Sequence, residues 1–228
     1  MNSSKANQKD QDLIRLTLDG EHEVFGQLIR KYQDRLYNGM VQIVRNESEA
    51  EDVVQDAFVL AFTKLRTFKG NSAFYTWLYR IAYNVAITRL RRRKPTVSIE
   101  GVSEHSSLDF ADEGPAPDAH LQSQEQTRQL NLAMDRLSQE HRSILVLREM
   151  DGLDYDAISE ILDLPIGTVR SRLHRARGQL RAHLQTIMNN QWNFLERQSS
   201  NISQLNISNK ISQQPTIWSS LKSDETDD

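Results

Sequence analysis

The chain contains no cysteine, which excludes disulfides, thiolate metal sites and cysteine nucleophiles. It also lacks any apolar run of about 18 residues, the length that a membrane-spanning helix requires. The first ten residues, MNSSKANQKD, have no apolar segment of the kind found in secretory signals. These absences predict a cytoplasmic protein. With 228 residues, of which 38% are hydrophobic and 26% charged, the composition is typical of a soluble protein of one or two domains.

The net charge of −3 conceals a division of charge along the chain. Residues 164–195 carry five arginines and no acidic residue, whereas residues 96–127 carry seven acidic residues and no lysine or arginine. A polyanion responds to the local charge of a surface, not to the total. The arginine-rich segment is therefore a candidate nucleic-acid surface.

Aromatic and basic residues are concentrated between Phe68 and Lys94. Of the 16 aromatic residues (3 Trp, 6 Tyr and 7 Phe), six lie between Phe68 and Tyr83, and five of the six residues 89–94 are basic. In a helix from about Ala73, one buried stripe would contain Phe74, Trp77, Leu78, Ile81, Ala82 and Val85. We expect Tyr75, Tyr79, Arg80, Tyr83, Asn84 and Arg91 to lie on or beside the other face. Rings beside cations suit single-stranded nucleic acid, because bases stack on rings and phosphates attract positive charge. A core helix with a solvated basic end is the alternative.

The segment FKGNSAFYTWLYRIAYN closely resembles the promoter −10 recognition segment of extracytoplasmic-function sigma factors, a bacterial group within the sigma-70 family. The resemblance implies a pocket that accepts a flipped base. Stacking in such a pocket stabilises the bound state by about 1–3 kcal/mol per base, which can offset the cost of a few kcal/mol for unstacking the base. It implies −10 DNA-binding roles for Phe68, Lys69, Asn71, Tyr75, Tyr79, Arg80, Asn84, Arg91 and Arg92, and a mainly structural role for Trp77. Thr88 stands where many relatives carry an acidic residue, so the −10 sequence itself stays open.

A preceding helix is predicted in NESEAEDVVQDAF, where Ser48 and Glu51 form a capping-box pattern. The motif AEDVVQDAF resembles the sigma-factor surface that docks on the clamp helices of core RNA polymerase. This resemblance implies that Asp52, Gln55 and Asp56 contact the polymerase. Acidic residues at a helix start are also favoured by the helix dipole, so a merely solvated face is the alternative.

Residues 96–127 show no sustained periodicity, and GPAP at 114–117 interrupts any helix, which predicts a flexible acidic linker. Fully extended, such a linker reaches on the order of 100 Å. Two DNA elements about two helical turns apart are separated by roughly 70 Å, so one chain could contact both. The acidic bias either keeps the linker extended or, as the family suggests, follows the path of RNA in the polymerase.

The C-terminal part predicts a helix-turn-helix. Short helices are expected around Leu130–Leu137, after Ser138 and from Tyr155, and the break DLPIG at 163–167 precedes a helix whose opening turns are rich in arginine. YDAISEILDLPIGTVRSRLHRAR also resembles the −35 recognition module of the same sigma group. The −35 DNA-binding residues implied are Thr168, Arg170, Ser171, Arg172, His174, Arg175 and Arg177. A solvated arginine-rich helix is the alternative.

These features predict an all-α protein of two small helical domains joined by a flexible acidic linker. The expected division is a disordered N-terminus (1–11), a sigma region 2 domain (12–95), the linker (96–127), a sigma region 4 domain (128–188) and a polar tail (189–228). Asparagine, glutamine and serine make up 19 of the 40 tail residues. The tail is therefore expected to be disordered, with ordering against a partner as the alternative.

The predicted function is that of a sigma factor that binds core RNA polymerase and promoter DNA, recognises the −35 and −10 elements and helps to melt the −10 region. Many members of the group bind an anti-sigma factor, so the resemblance adds that partner. The alternatives are a stand-alone helix-turn-helix regulator and an enzyme acting on nucleic acid. The six histidines show no metal-ligand spacing and no paired acid and base is recognisable, so we predict no catalytic residue, metal or cofactor.

Overall fold

The computed structural model describes the backbone of residues 2–93 and 117–211, and the side chains of residues 8–92, 124–190 and 192. Within these ranges the chain is helical and has no strand, which confirms the all-α prediction. The helices are α1 (Asn2–Leu18), α2 (Phe25–Val44), α3 (Glu47–Thr63), α4 (Phe74–Arg93), α5 (Pro117–Asp135), α6 (Gln139–Leu145), α7 (Tyr155–Leu162) and α8 (Ile166–Ile211), with short turns of 3₁₀-helix at His22–Val24 and Leu65–Thr67 and of π-helix at Val146–Met150. None of the described helices is both long and apolar enough to cross a membrane.

The first module consists of α1 to α4, and its core forms where α2, α3 and α4 meet. Leu28, Leu36 and Met40 recur at helical spacing on α2 and are fully buried. Helix α3 presents small residues to its neighbours, since Ala57 and Ala61 are also fully buried. Small side chains let helix axes approach closely, which brings α3 against both α2 and α4.

Helix α3 begins earlier than the sequence pattern suggested. The Asn46 side chain accepts a hydrogen bond from the Glu49 backbone N–H at 2.8 Å, so Asn46 is the N-cap and the predicted capping box of Ser48 and Glu51 is wrong. Asparagine satisfies an orphan N–H at the start of a helix as well as serine does.

The second module consists of α5 to α7 and the part of α8 up to Ala182. Ser138 caps α6 by accepting from His141 N–H, as predicted, and Asp154 caps α7 by accepting from Ala157 N–H at 2.8 Å. Asp163 ends α7 in the left-handed conformation with φ 54°, and α8 begins three residues later. Ile158 and Ile161 of α7 and Val169 and Leu173 of α8 are buried and belong to the hydrophobic core.

Three of the expected irregular segments are partly helical. Helix α1 starts at Asn2, inside the N-terminus predicted to be disordered, and Asp10 is buried because its carboxylate accepts hydrogen bonds from Lys31 and Tyr32 of α2. Helix α5 starts at Pro117, inside the predicted linker, and α8 continues to Ile211, inside the predicted tail. The rest of the linker, 96–116, and the end of the tail, 212–228, lie outside the described residues.

The two modules form one compact unit, Met1–Ala182, and residues His183–Asp228 form a second. Within the first unit, α4 packs against α7, and α2 packs against α6 and the following π-helical turn. In the second unit residues 183–211 are helical; Ile187 is buried, and Met188 and Trp192 are more than half exposed. The predicted domain division remains a prediction, but the modules contact each other directly.

Candidate polymerase and promoter surfaces

The three residues predicted to contact polymerase, Asp52, Gln55 and Asp56, are all exposed on α3. Arg89 of α4 reaches both carboxylates, with Nη1 3.1 Å from Asp52 Oδ2 and a hydrogen bond from Nη2 to Asp56. The hydrogen bond to Asp56, more than that to Asp52, raises the pKa of the Arg89 guanidinium. The structure therefore joins the acidic surface to the basic end of α4, a contact that the sequence did not indicate.

An apolar groove lies beside these carboxylates, between α2 and α3, with a volume of about 600 Å³. Its wall includes Ile29 and Tyr37 of α2 and Val59 and Phe62 of α3, and Gln55 contributes to its edge. Val59 is 61% exposed and Phe62 is 41% exposed, which is unusual for apolar residues on a helix with a filled core face. Sequence reasoning missed this groove, although Val59 and Phe62 are apolar residues three positions apart on α3 and could have signalled it.

Most of the predicted −10 residues lie on the surface of the loop before α4 or on α4 itself. The exposed members are Lys69, Asn71, Arg80, Asn84, Arg91 and Arg92. Phe68 is half-buried, with its ring centroid 5.8 Å from that of Phe74 and 5.3 Å from that of Trp77. Trp77 thus packs on the apolar side of α4, consistent with the structural role predicted for it.

Tyr75 and Tyr79 differ from the prediction that they lie on the outward face of α4. They are only 5% and 0% exposed, because α4 is covered on two sides. The Tyr75 ring stacks on Tyr32 of α2 with centroids 5.2 Å apart, and its hydroxyl donates to Asp151 Oδ1 of the second module at 3.1 Å. Burial of both rings follows from tertiary packing that the 3.6-residue period cannot reveal, and their contact with DNA remains a prediction.

The residues around Asp151 form a buried polar cluster. Burial raises the pKa of the Asp151 carboxyl, and it also raises the pKa values of the Tyr75 and Tyr79 hydroxyls. Burial outweighs the nearby Tyr79 hydroxyl, the hydrogen bond from Tyr75 and the charge of Arg35, which all favour the charged carboxylate. Asp151 was not recognised in the sequence, because its partners lie more than 70 residues away along the chain.

The predicted −35 residues lie on the first four turns of α8. Arg170, Ser171, His174, Arg175 and Arg177 are exposed, and Thr168 and Arg172 are half-buried. Arg172 pairs with Glu140 at 3.2 Å, and Arg177 donates from Nε to Glu149 Oε1 at 2.9 Å.

The Arg170 guanidinium lies 5.7 Å from the ring centre of Tyr155. Arg170 and Arg175 are both exposed on α8, and their contact with base edges remains a prediction. Among the described residues, no group of three or more histidine, aspartate or glutamate side chains is arranged to hold a metal ion.

Two family models match the two modules in order. Residues 28–96 match sigma-70 region 2, and residues 127–180 match sigma-70 region 4. These ranges contain all the residues predicted to contact polymerase, the −10 element and the −35 element.

This chain matches several known proteins over nearly their whole length. RNA polymerase sigma-H factor of Pseudomonas aeruginosa is 35% identical over 192 residues, which is 79% of this chain and 96% of that protein. The extracytoplasmic-function sigma factor SigW of Bacillus subtilis is 34% identical, over 76% of this chain and 96% of that protein. The extracytoplasmic-function sigma-E factor of Escherichia coli K12 is 37% identical, over 74% of this chain and 90% of that protein.

Two solved structures resemble the fold with a TM-score of 0.57 each. One is CnrH in complex with the cytosolic domain of CnrY, at 25% identity over 78% of this chain and 97% of that chain. The other is the sigma factor RpoE in complex with the anti-sigma factor NepR from Bartonella quintana, at 26% identity over 71% of this chain and 96% of that chain. The two family models and the near-complete match to these sigma factors place the chain in the extracytoplasmic-function group of the sigma-70 family, and its function is that of a sigma factor, which directs RNA polymerase to promoters.

Proposed function

We propose that the two modules divide the work of promoter recognition, with the first module binding core polymerase and the −10 element and the second module binding the −35 element. The observation that carries the proposal is the position of the exposed charged residues. Exposed acidic residues and an apolar groove lie on α3 in the segment that matches region 2, and exposed arginines lie at the start of α8 in the segment that matches region 4.

Docking on polymerase would use both parts of the α3 surface. The exposed Val59 and Phe62 offer apolar area that a partner helix can cover, and burial stabilises by about 25 cal/mol per Å². The exposed carboxylates of Asp52 and Asp56 on the same helix would select a basic partner and set its orientation. The pairing with Arg89 keeps these carboxylates in place before the partner arrives.

Promoter binding would use two kinds of contact, one to phosphates and one to bases. Arg80, Arg91 and Arg92 are exposed along α4 and would bind phosphates without regard to sequence. Asn71 lies in the loop before α4 and Asn84 on α4 itself, and both offer amide groups for a base taken out of the stack. On α8, Arg170 and Arg175 would read guanines in the major groove.

The proposal extends to partners and place of action. No catalytic residue is needed, because polymerase performs the chemistry, so the protein is not an enzyme. It would act in the cytoplasm, where the polymerase and promoter are. An anti-sigma factor is a further expected partner, since the similar sigma factor RpoE is held in a complex of that kind.

The test is run-off transcription with purified core polymerase on a library of genomic fragments. The full-length protein should direct transcripts from discrete start sites that core polymerase alone does not use. A chain truncated after Asn189 should direct the same start sites, because both matched regions end before that residue. Absence of any specific transcript with the full-length protein would refute the proposed function.

A further inference from the structure

The arginine-rich start of α8 has no acidic residue of its own, since residues 164–195 contain five arginines and neither aspartate nor glutamate. Two of these arginines are nevertheless paired with carboxylates from other parts of the second module. Arg172 Nη2 lies 3.2 Å from Glu140 Oε2 of α6. Arg177 donates from Nε at 2.9 Å and from Nη2 at 2.5 Å to Glu149 Oε1, in the π-helical turn after α6. The fold therefore supplies two negative charges that the helix itself lacks.

The other two arginines predicted to contact the −35 element, Arg170 and Arg175, are not neutralised in this way. Among the described residues, no carboxylate forms an ion pair with either of them. The Arg170 guanidinium lies over the ring of Tyr155 instead, and a ring face attracts a cation without cancelling its charge. The acidic residues of the protein thus divide four arginines into two that are neutralised and two that keep their charge.

The paired arginines lie at the two edges of the exposed surface of α8. Arg172 is four residues before Ala176, and Arg177 is four residues after Leu173; Ala176 and Leu173 are both buried. Residues four apart share one side of a helix, so each arginine borders the buried face. Being five residues apart, the two arginines are separated by about 140° around the helix axis. For a helix in the major groove, such edges face the phosphates of the DNA backbone.

A carboxylate and a phosphate bind a guanidinium through the same kind of charge-assisted hydrogen bond. Glu140 and Glu149 therefore engage Arg172 and Arg177 with the chemistry that DNA phosphates would use. A neutralised arginine releases no counterion from DNA. Each arginine–phosphate contact contributes about 0.9 to the slope of log affinity against log salt concentration, which between 1 M and 0.1 M salt corresponds to roughly an eightfold change in affinity.

We propose that Glu140 and Glu149 act as internal substitutes for DNA phosphate, which neutralise Arg172 and Arg177 and keep the affinity of the free protein for DNA of any sequence low. A mainly stabilising role is disfavoured, because Glu140 is 67% and Glu149 48% exposed and exposed ion pairs contribute little to stability. The free protein then avoids the many non-specific sites of a chromosome and stays available to polymerase. The inference rests on the proposed function, because it takes the start of α8 to be a DNA-binding surface.

The test measures binding of the full-length protein, without polymerase, to DNA of random sequence. A fluorescein-labelled duplex of about 25 base pairs is titrated and followed by fluorescence anisotropy at several KCl concentrations between about 50 and 200 mM. Glu140→Gln and Glu149→Gln each remove one negative charge and keep the size of the side chain. Each should raise the affinity by roughly eightfold near 0.1 M salt and steepen the salt dependence by about 0.9. Unchanged affinity and salt dependence in both variants would overturn the inference.

Two kinds of control separate release of an arginine from a change in net charge. Asp156→Asn also removes one negative charge, at an exposed position of α7 whose carboxylate forms no ion pair within the described residues, and should leave binding nearly unchanged.

The second control removes each ion pair completely. Glu140→Gln with Arg172→Gln, and Glu149→Gln with Arg177→Gln, replace a neutral pair by two neutral side chains, so both double variants should bind like the unaltered protein. An equal rise in the Asp156→Asn control, or a rise that persists in both double variants, would contradict the proposal. Circular dichroism should show equal helicity in all variants, because every substituted glutamate is exposed.

The two unneutralised arginines distinguish failure of this inference from failure of the proposed function. Arg170→Gln and Arg175→Gln should each weaken binding to the same duplex, because these side chains keep their charge in the free protein. If neither weakens binding, the start of α8 does not contact DNA, and the proposed role of the second module fails together with the inference. If both weaken binding while the glutamate variants behave like the unaltered protein, only the inference fails.

Discussion

Reversal of the charge at Asp56 is the most direct test of the polymerase-binding surface. Asp56 is about half exposed and its partner within the protein, Arg89, is also bound by Asp52. An exposed ion pair contributes about 0–1 kcal/mol to stability, so Asp56→Arg should change the free energy of unfolding by about 1 kcal/mol or less. If Asp56 instead faces a cation of polymerase across a docked interface, loss of that pair should cost about 2–5 kcal/mol of binding. The expected Kd for core polymerase therefore rises by roughly 30-fold to several thousandfold.

The assay is a titration of the dye-labelled protein with core polymerase, followed by fluorescence anisotropy, with thermal unfolding measured in parallel. Asp156→Arg makes the same charge change at an exposed position of α7 and serves as the control. We expect the control to bind core polymerase like the unaltered protein. An unchanged Kd for Asp56→Arg with an intact fold would refute the assignment of this surface, as would equal weakening in the control.

Three further predictions concern the groove, the −35 helix and the buried aspartate. Val59→Asn should leave thermal stability unchanged, because Val59 is 61% exposed, but weaken polymerase binding in the same titration by about 1–2 kcal/mol if the groove is covered on docking. Arg170→Ala should cost about 1–3 kcal/mol of promoter affinity and relax preference at one −35 position in a binding-site selection; equal loss on every sequence would identify a phosphate contact instead. Because burial raises the folded-state pKa of Asp151 above its ordinary value of 3.8, the carboxyl contributes stability that is present below that value and is lost as the pH rises through the folded pKa. The free energy of unfolding of Asp151→Asn relative to the unaltered protein should therefore increase from about pH 4 upward, and a difference that does not vary with pH would contradict the role of burial.

The sequence by itself determined the all-α fold class and the positions of most helices. Helical periodicity and local caps such as Ser138 are properties of short stretches, since residues three or four apart share a helix face whatever lies beyond. The exposed positions of Asp52, Gln55 and Asp56 follow from the same periodicity, because they alternate with the buried Val53 and Ala57. The family resemblance likewise rested on contiguous motifs, and both family models confirm it.

Only the tertiary structure decided which surfaces are covered. Asp151 meets Tyr75 across 76 residues and Arg45 meets Asp135 across 90, and no local pattern relates residues so far apart. For the same reason Tyr79 was expected outside and is buried, since periodicity assigns one inner face to a helix that here has two packed sides. The local sequence determines which face a helix buries first, whereas a second contact depends on the shape and charge of a distant partner, which become defined only when the chain has folded.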